Sequence, residues 1–226
     1  MPKVSEDHRE ARREQILRAA VECFADQGFH RTTMDDIIKR SGLSTGAIYQ
    51  YFANKGALIE AIAAQRHARE SALIAEFAAS DDLCEGLSTL TRSLFDLLKS
   101  PAERLRRKVA IQVWTEALRS KDVLNLVRRG NAQAAPITQK LEAAKAAGRL
   151  PADVKPEAFT RVMVAIFQGF ILQQAWDPDT LIDDYVAAAL FLIDSTFGAR
   201  SHRAVKIPPT SLALSLGAAT EGNSTT

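Results

Sequence analysis

Side chains able to read a nucleic acid crowd one short stretch of this chain. From Thr32 to Lys55 it runs TTMDDIIKRSGLSTGAIYQYFANK. Thr45 and Gln50 can donate and accept hydrogen bonds at base edges, and a glutamine amide can pair with adenine through two bonds. Gly46 lets a helix backbone come close to those edges. Tyr49 and Tyr51 hold hydroxyls on rigid rings able to reach phosphates. Lys55 places a cation at a helix start, where the helix dipole also attracts phosphate. The bland reading of the stretch is an ordinary helical hairpin. The set of cap, turn, aromatic hydroxyls and lysine argues for nucleic-acid chemistry instead.

Two helices must position this set. Thr33 predicts a cap over Met34 to Ser41, with Asp35 and Asp36 in the first turn, where the dipole favours negative charge. Met34, Ile37 and Ile38 give that helix an apolar face at spacings of three and four. Gly42 can take the left-handed conformation that ends it, and Leu43 plugs the turn. Ser44 then caps a second helix, expected over Thr45 to Tyr51 or Phe52. Ile48 and Phe52 point inward at spacing four, which leaves Thr45, Gly46, Tyr49 and Gln50 outward. A pair joined this way can place its second helix in the major groove.

The stretch resembles the DNA-binding domain of TetR-family transcriptional regulators. Their pattern is matched by Phe24-Ala25-Asp26-Gln27-Gly28-Phe29, Thr32-Thr33, Ile37-Ile38, Ser41-Gly42-Leu43-Ser44 and Ile48-Tyr49-Gln50-Tyr51-Phe52-Ala53-Asn54-Lys55. Ile38 and Ser41 depart from it, standing where small alanines are common. The resemblance covers about residues 9 to 66. It implies that Thr33, Tyr49, Tyr51 and Lys55 contact phosphates and that Thr45, Gly46 and Gln50 read bases. It also implies an all-α fold with a helical regulatory and dimerisation domain after the helix-turn-helix.

Composition sets wider bounds. The 226 residues are 46% hydrophobic and 25% charged, with a net charge of +2. That fits a globular protein and excludes a polycation that coats nucleic acid along its whole length. Charge is uneven: residues 99 to 149 hold 12 basic and 4 acidic residues, and residues 150 to 199 hold 2 and 7. Arg9, Arg12, Arg13 and Arg18 cluster at the start of the first helix, beside the expected DNA backbone. Cys23 and Cys84 form no disulfide framework, and Cys23 falls on the stripe Ile16, Ala20, Cys23, Phe24 as a small core residue. The setting expected is a reducing cytoplasm. The four histidines show no ligand spacing, so no metal site is expected, and no phosphate-cradling glycine loop or other cofactor motif occurs. Pro2 to Arg13 is polar and charged, so no secretory leader is expected; the most apolar run, Val162 to Leu172, is too short for a membrane span and contains Gln168.

About nine helices are expected along the chain. Residues 1 to 8 read as a disordered arm, 9 to 66 as the DNA-binding domain with its helix-turn-helix at about 33 to 52, 67 to 198 as a helical regulatory domain, and 199 to 226 as a disordered tail. One helix is expected from about Lys121 to Ala147, with a kink near Gly130 or Pro136. The helix Phe159 to Trp176 is apolar nearly all round and must be covered on every side. The helix after it carries Tyr185 and Phe191. A homodimer interface through both, with Phe170, Tyr185 and Phe191 at its centre, suits a two-fold, palindromic double-stranded operator. Phe95, Gln112, Trp114, Met163, Phe167 and Gln168 are candidates for a cavity that binds an apolar effector, although aromatics at helical spacing more often serve only as core.

The function expected is a sequence-specific, DNA-binding transcriptional regulator without enzymatic activity. A dimeric repressor released from its operator by a small apolar ligand is the leading form. A ligand-independent DNA-associated regulator is the alternative. A helical enzyme fits poorly, because no nucleophile-base set suggests itself.

Overall fold

Polar side chains at helix starts lay out the architecture. Thr33, Ser44, Asn54, Asp82, Ser100 and Ser120 each accept the backbone N–H three residues on. Each satisfies a donor that the helix itself leaves orphaned, a contribution of about 1 kcal/mol apiece. The computed structural model describes residues 6–197. Among them the chain forms α1 (Glu6–Gln27), α2 (Met34–Ser41), α3 (Thr45–Tyr49), α4 (Lys55–Ala79), α5 (Leu83–Asp96), α6 (Pro101–Glu116), α7 (Lys121–Ala132), α8 (Ala135–Ala146), α9 (Pro156–Trp176) and α10 (Ile182–Phe197). A short 3-10 turn over Leu97–Lys99 joins α5 to α6.

Three boundaries differ from expectation. α1 begins at Glu6 rather than Arg9, so part of the expected arm is helical; Glu6 and Asp7 sit in its first turn, where the dipole favours them. The remainder of that arm and the expected tail lie outside the described residues. α3 ends at Tyr49, and the chain turns through Gln50 and Tyr51 before Phe52. The helix expected over 121 to 147 resolves into α7 and α8, because Pro136 falls in the first turn of α8, where a missing N–H breaks no helical bond.

α1, α2, α3 and the start of α4 enclose one core around Ile16, Phe24, Ile37, Ile48 and Leu58, all fully buried. Val109 of α6 and Leu126 of α7 complete the same core, so the N-terminal head is not a free module. α4 then runs unbroken from the head into a body built from α5 to α10. Its C-terminal end is held across space: the Lys140 ammonium of α8 donates to the carbonyls of Phe77, Ala78 and Ser80 and stands over the Phe77 ring. A cation there answers both the carbonyls of the last turn and the negative end of the helix dipole.

Candidate nucleic-acid interface and effector cavity

The helix-turn-helix is built from local bonds. Thr33 Oγ1 accepts the Asp36 N–H at 3.2 Å, while Asp36 Oδ2 accepts the Thr33 N–H at 2.8 Å and the Thr33 hydroxyl at 2.7 Å. The Thr33 hydroxyl and then the Thr33 N–H hold the Asp36 carboxyl below the usual carboxylate range. Gly42 ends α2 at φ +69°, and its N–H donates to Ile38 O. Ser41, in place of an alanine, is buried; its hydroxyl donates to Ile38 O and accepts the Leu43 N–H, and Gln15 donates to its carbonyl at 2.7 Å. The turn is thereby fixed to α1. Arg40 adds ion pairs to Glu22 and Asp26 of α1.

Thr45, Gly46 and Tyr49 lie exposed on α3 and Gln50 exposed in the turn that ends it, with Tyr49 48% accessible. A methyl group on Gly46 would meet nothing within 4 Å, so the fold itself does not require glycine there. Thr33 is exposed, with its hydroxyl engaged by Asp36. Tyr51 is half-buried, with its ring against the core of the head. Lys55 lies nearer the protein than its sequence position suggests: its ammonium donates to Phe29 O at 2.8 Å and His30 O at 3.3 Å and sits 4.9 Å from the Phe29 ring centre.

Residues 16–62 match the family of bacterial regulatory proteins, tetR family. Over 199 residues the chain is 30% identical to the HTH-type transcriptional repressor Rv1474c of Mycobacterium tuberculosis, a match that covers 87% of this chain and 98% of that protein. The chain belongs to the TetR family. Among solved structures, GusR of Salmonella enterica superposes with a TM-score of 0.68 at 26% identity, over 86% of this chain and 98% of that one. SmeT, the repressor of the Stenotrophomonas maltophilia multidrug efflux pump SmeDEF, does so at 0.63 and 26%, over 81% of this chain and 88% of its own. SmeT is also solved as a complex with triclosan. TetR-family regulators bind operator DNA and small-molecule effectors, typically as dimers. This TetR-family protein is accordingly a DNA-binding transcriptional regulator and not an enzyme.

The body of the TetR-family chain holds a partly open cavity of about 180 Å³. Phe95, Trp114, Met163, Phe167 and Gln168 line it, as their spacing suggests. Gln112 does not. It sits on the opposite side of α6, where its Oε1 accepts the Phe29 N–H at 2.8 Å and its Nε2 donates to Phe24 O at 2.9 Å. A polar side chain beside apolar neighbours in sequence suggests a pocket; its partners are instead main-chain groups where α1 ends, the Phe29 N–H and the Phe24 carbonyl, which also accepts the Gly28 N–H. One turn further on, Glu116 pairs with His30 at 2.7 Å. The sequence carries no signal for this clasp, because the partners are more than 80 residues apart.

Phe170 is a second correction. It is 0% exposed, enclosed by Phe95 at 5.6 Å and Tyr185 at 5.2 Å, and belongs to the core of its own chain. Tyr185 is half-buried in the same cluster. Phe191 faces outward at 71% exposure, and Val162, Trp176 and Leu192 are exposed with it on α9 and α10. Cys23 is buried, and burial raises its thiol pKa, in keeping with a core role. Among the described residues no helix is long and apolar enough to cross a membrane.

Proposed function

We propose that this regulator is a dimeric repressor that leaves a palindromic operator when a small apolar ligand enters its body. The observation that carries this is the double duty of α6. Val109, Val113 and Trp114 on this helix line the cavity, while Gln112 and Glu116 on the same turns hold the Phe29–His30 segment of the head. A ligand that shifts α6 acts directly on the segment whose carbonyls accept the Lys55 ammonium. Two heads bind a two-fold site only when their spacing matches it, so a small shift lowers affinity. SmeT offers a precedent in name and in its triclosan complex. The dimer would form through the exposed faces of α9 and α10, around Val162, Phe191 and Leu192. On the operator, Thr45, Gly46 and Gln50 would read bases, and Thr33, Tyr49, Tyr51 and Lys55 would meet phosphates. A regulator of this kind works in the cytoplasm, beside its DNA.

The test is an operator titration with and without a ligand that raises the melting temperature. Trp114→Ala should retain operator affinity and lose ligand response, by losing the ligand. Gln112→Ala should keep the ligand-induced rise in melting temperature yet release DNA less. A parent-like response from both variants would reject α6 as the link.

A further inference from the structure

The wall of the body cavity is not electrically neutral. Arg66 and Glu70 of α4 and Arg106 of α6 all line it. Arg66 and Glu70 satisfy each other at 2.6 Å, and the Arg66 guanidinium also lies 5.7 Å from the Phe167 ring centre. Arg106 is different. Its partner Glu103 is buried and shared: the same carboxylate oxygen accepts from Arg106 at 2.8 Å and from Arg69 at 2.9 Å. One carboxylate facing two guanidiniums leaves one positive charge over. His67, also on the wall, adds no further positive charge at neutral pH, because burial lowers its pKa. A guanidinium has five N–H donors, and among the described residues Arg106 bonds to Glu103 alone. The excess of basic over acidic residues in 99 to 149 lies along the helices that bear this wall.

We propose that the effector is a small organic mono-anion with an apolar body. Its carboxylate head pairs with Arg106, with Arg66 close by on α4, and its alkyl or aryl body lies among Phe95, Trp114, Met163 and Phe167. A planar carboxylate matches a guanidinium fork through two bonds. A cation meets the surplus positive charge of the arginines, and Glu70, the carboxylate on the wall, is already committed to Arg66. The volume admits roughly a dozen water-sized groups, which suits a small molecule. The assignment rests on the reading of this cavity as the effector site.

The experiment titrates the full-length protein with decanoate, decanamide and decylamine, which share one body, and with naphthalene-2-carboxylate and its amide. Binding is read by calorimetry and by melting temperature. Each carboxylate should bind roughly tenfold tighter than its amide, the weight of one charge-assisted pair, and decylamine should not stabilise the protein. In Arg106→Gln the preference for carboxylate should fall to about threefold or less. Glu70→Gln, which frees Arg66 without removing a cation, should widen it. Equal binding of acid and amide to the parent overturns the anion assignment and leaves the cavity standing as an effector site. If no member of the series binds or raises the melting temperature, the cavity reading falls and the assignment falls with it.

Discussion

At the scale of single residues, Gly46 separates what the fold needs from what the DNA needs. Glycine in a helix costs stability relative to alanine, and nothing in the protein occupies the space where a methyl would go. Gly46→Ala should therefore hold or raise stability, by up to about 0.5 kcal/mol, while operator affinity falls. Thermal melts beside operator titrations check this; an alanine variant with full affinity would remove Gly46 from the contact surface. Asp36 offers a pH handle. Its carboxyl is held below the usual range by the Thr33 hydroxyl and then by the Thr33 N–H. A depressed folded pKa means that the stabilisation is present above the ordinary aspartate range, about 4, and is lost as pH falls through the lower folded value. The deficit of Asp36→Ala against the parent should be plain at neutral pH and should shrink in acid melts near pH 3. Lys55 shows what a position in sequence leaves open: its ammonium rests on two carbonyls of its own chain, and a phosphate would have to draw it from them.

At the scale of elements, side-chain caps and stop glycines place the helices, and two long-range devices connect them. One is the α6 clasp on the end of α1. The other is Lys140, whose ammonium serves the carbonyls that end α4. Lys140→Met keeps the apolar stem of the side chain and removes the charge. It should cost about 1–3 kcal/mol in denaturant melts, the range for lost bonds to a charged group, and should leave the isolated chemistry of α3 untouched. A variant as stable as the parent would show that water serves those carbonyls equally well. The division of the expected 121 to 147 helix into α7 and α8 belongs to this scale too. Pro136 was visible in the sequence, but whether it kinks a helix or starts a new one depends on what each half packs against. α8 packs against α4 and α9, and α7 against α6.

For the whole molecule, the decisive surface is the outer face of α9 and α10. Phe170 and Phe191 were expected to share it, and they stand on opposite sides. Phe170→Glu would bury a carboxylate in a fully enclosed site, so it should unfold or severely destabilise the chain. Phe191→Glu changes an exposed ring; the folded chain should remain, but as a monomer with weak operator binding. Sedimentation together with circular dichroism distinguishes the outcomes. A dimeric, folded Phe191→Glu protein would move the interface elsewhere. A second copy covering Val162, Trp176 and Phe191 would also explain why so much apolar surface faces outward, since exposed patches of this kind mark interaction sites.

The sequence by itself determined the features whose causes lie within three or four residues of one another. The Thr33 cap, the Gly42 stop, the Ser44 cap and the inward Ile37, Ile48 and Phe52 were legible because capping bonds and helical period act at that range. The candidate readers on α3 followed, since an inward stripe leaves an outward one. The cavity aromatics were legible as a group, because apolar side chains at helical spacing on several helices must meet somewhere. Only the tertiary structure decided which side of α6 faces the head, so that Gln112 became a clasp and Trp114 a wall. It alone decided which sides of the all-round apolar α9 and of α10 turn inward, which buries Phe170 and leaves Val162 and Phe191 exposed. It alone brought Arg69 of α4 to the buried carboxylate of Glu103, which Arg106 reaches from one turn along the same helix. These outcomes depend on which helices become neighbours. That is settled by the packing of apolar surfaces from distant parts of the chain, and no local pattern records it.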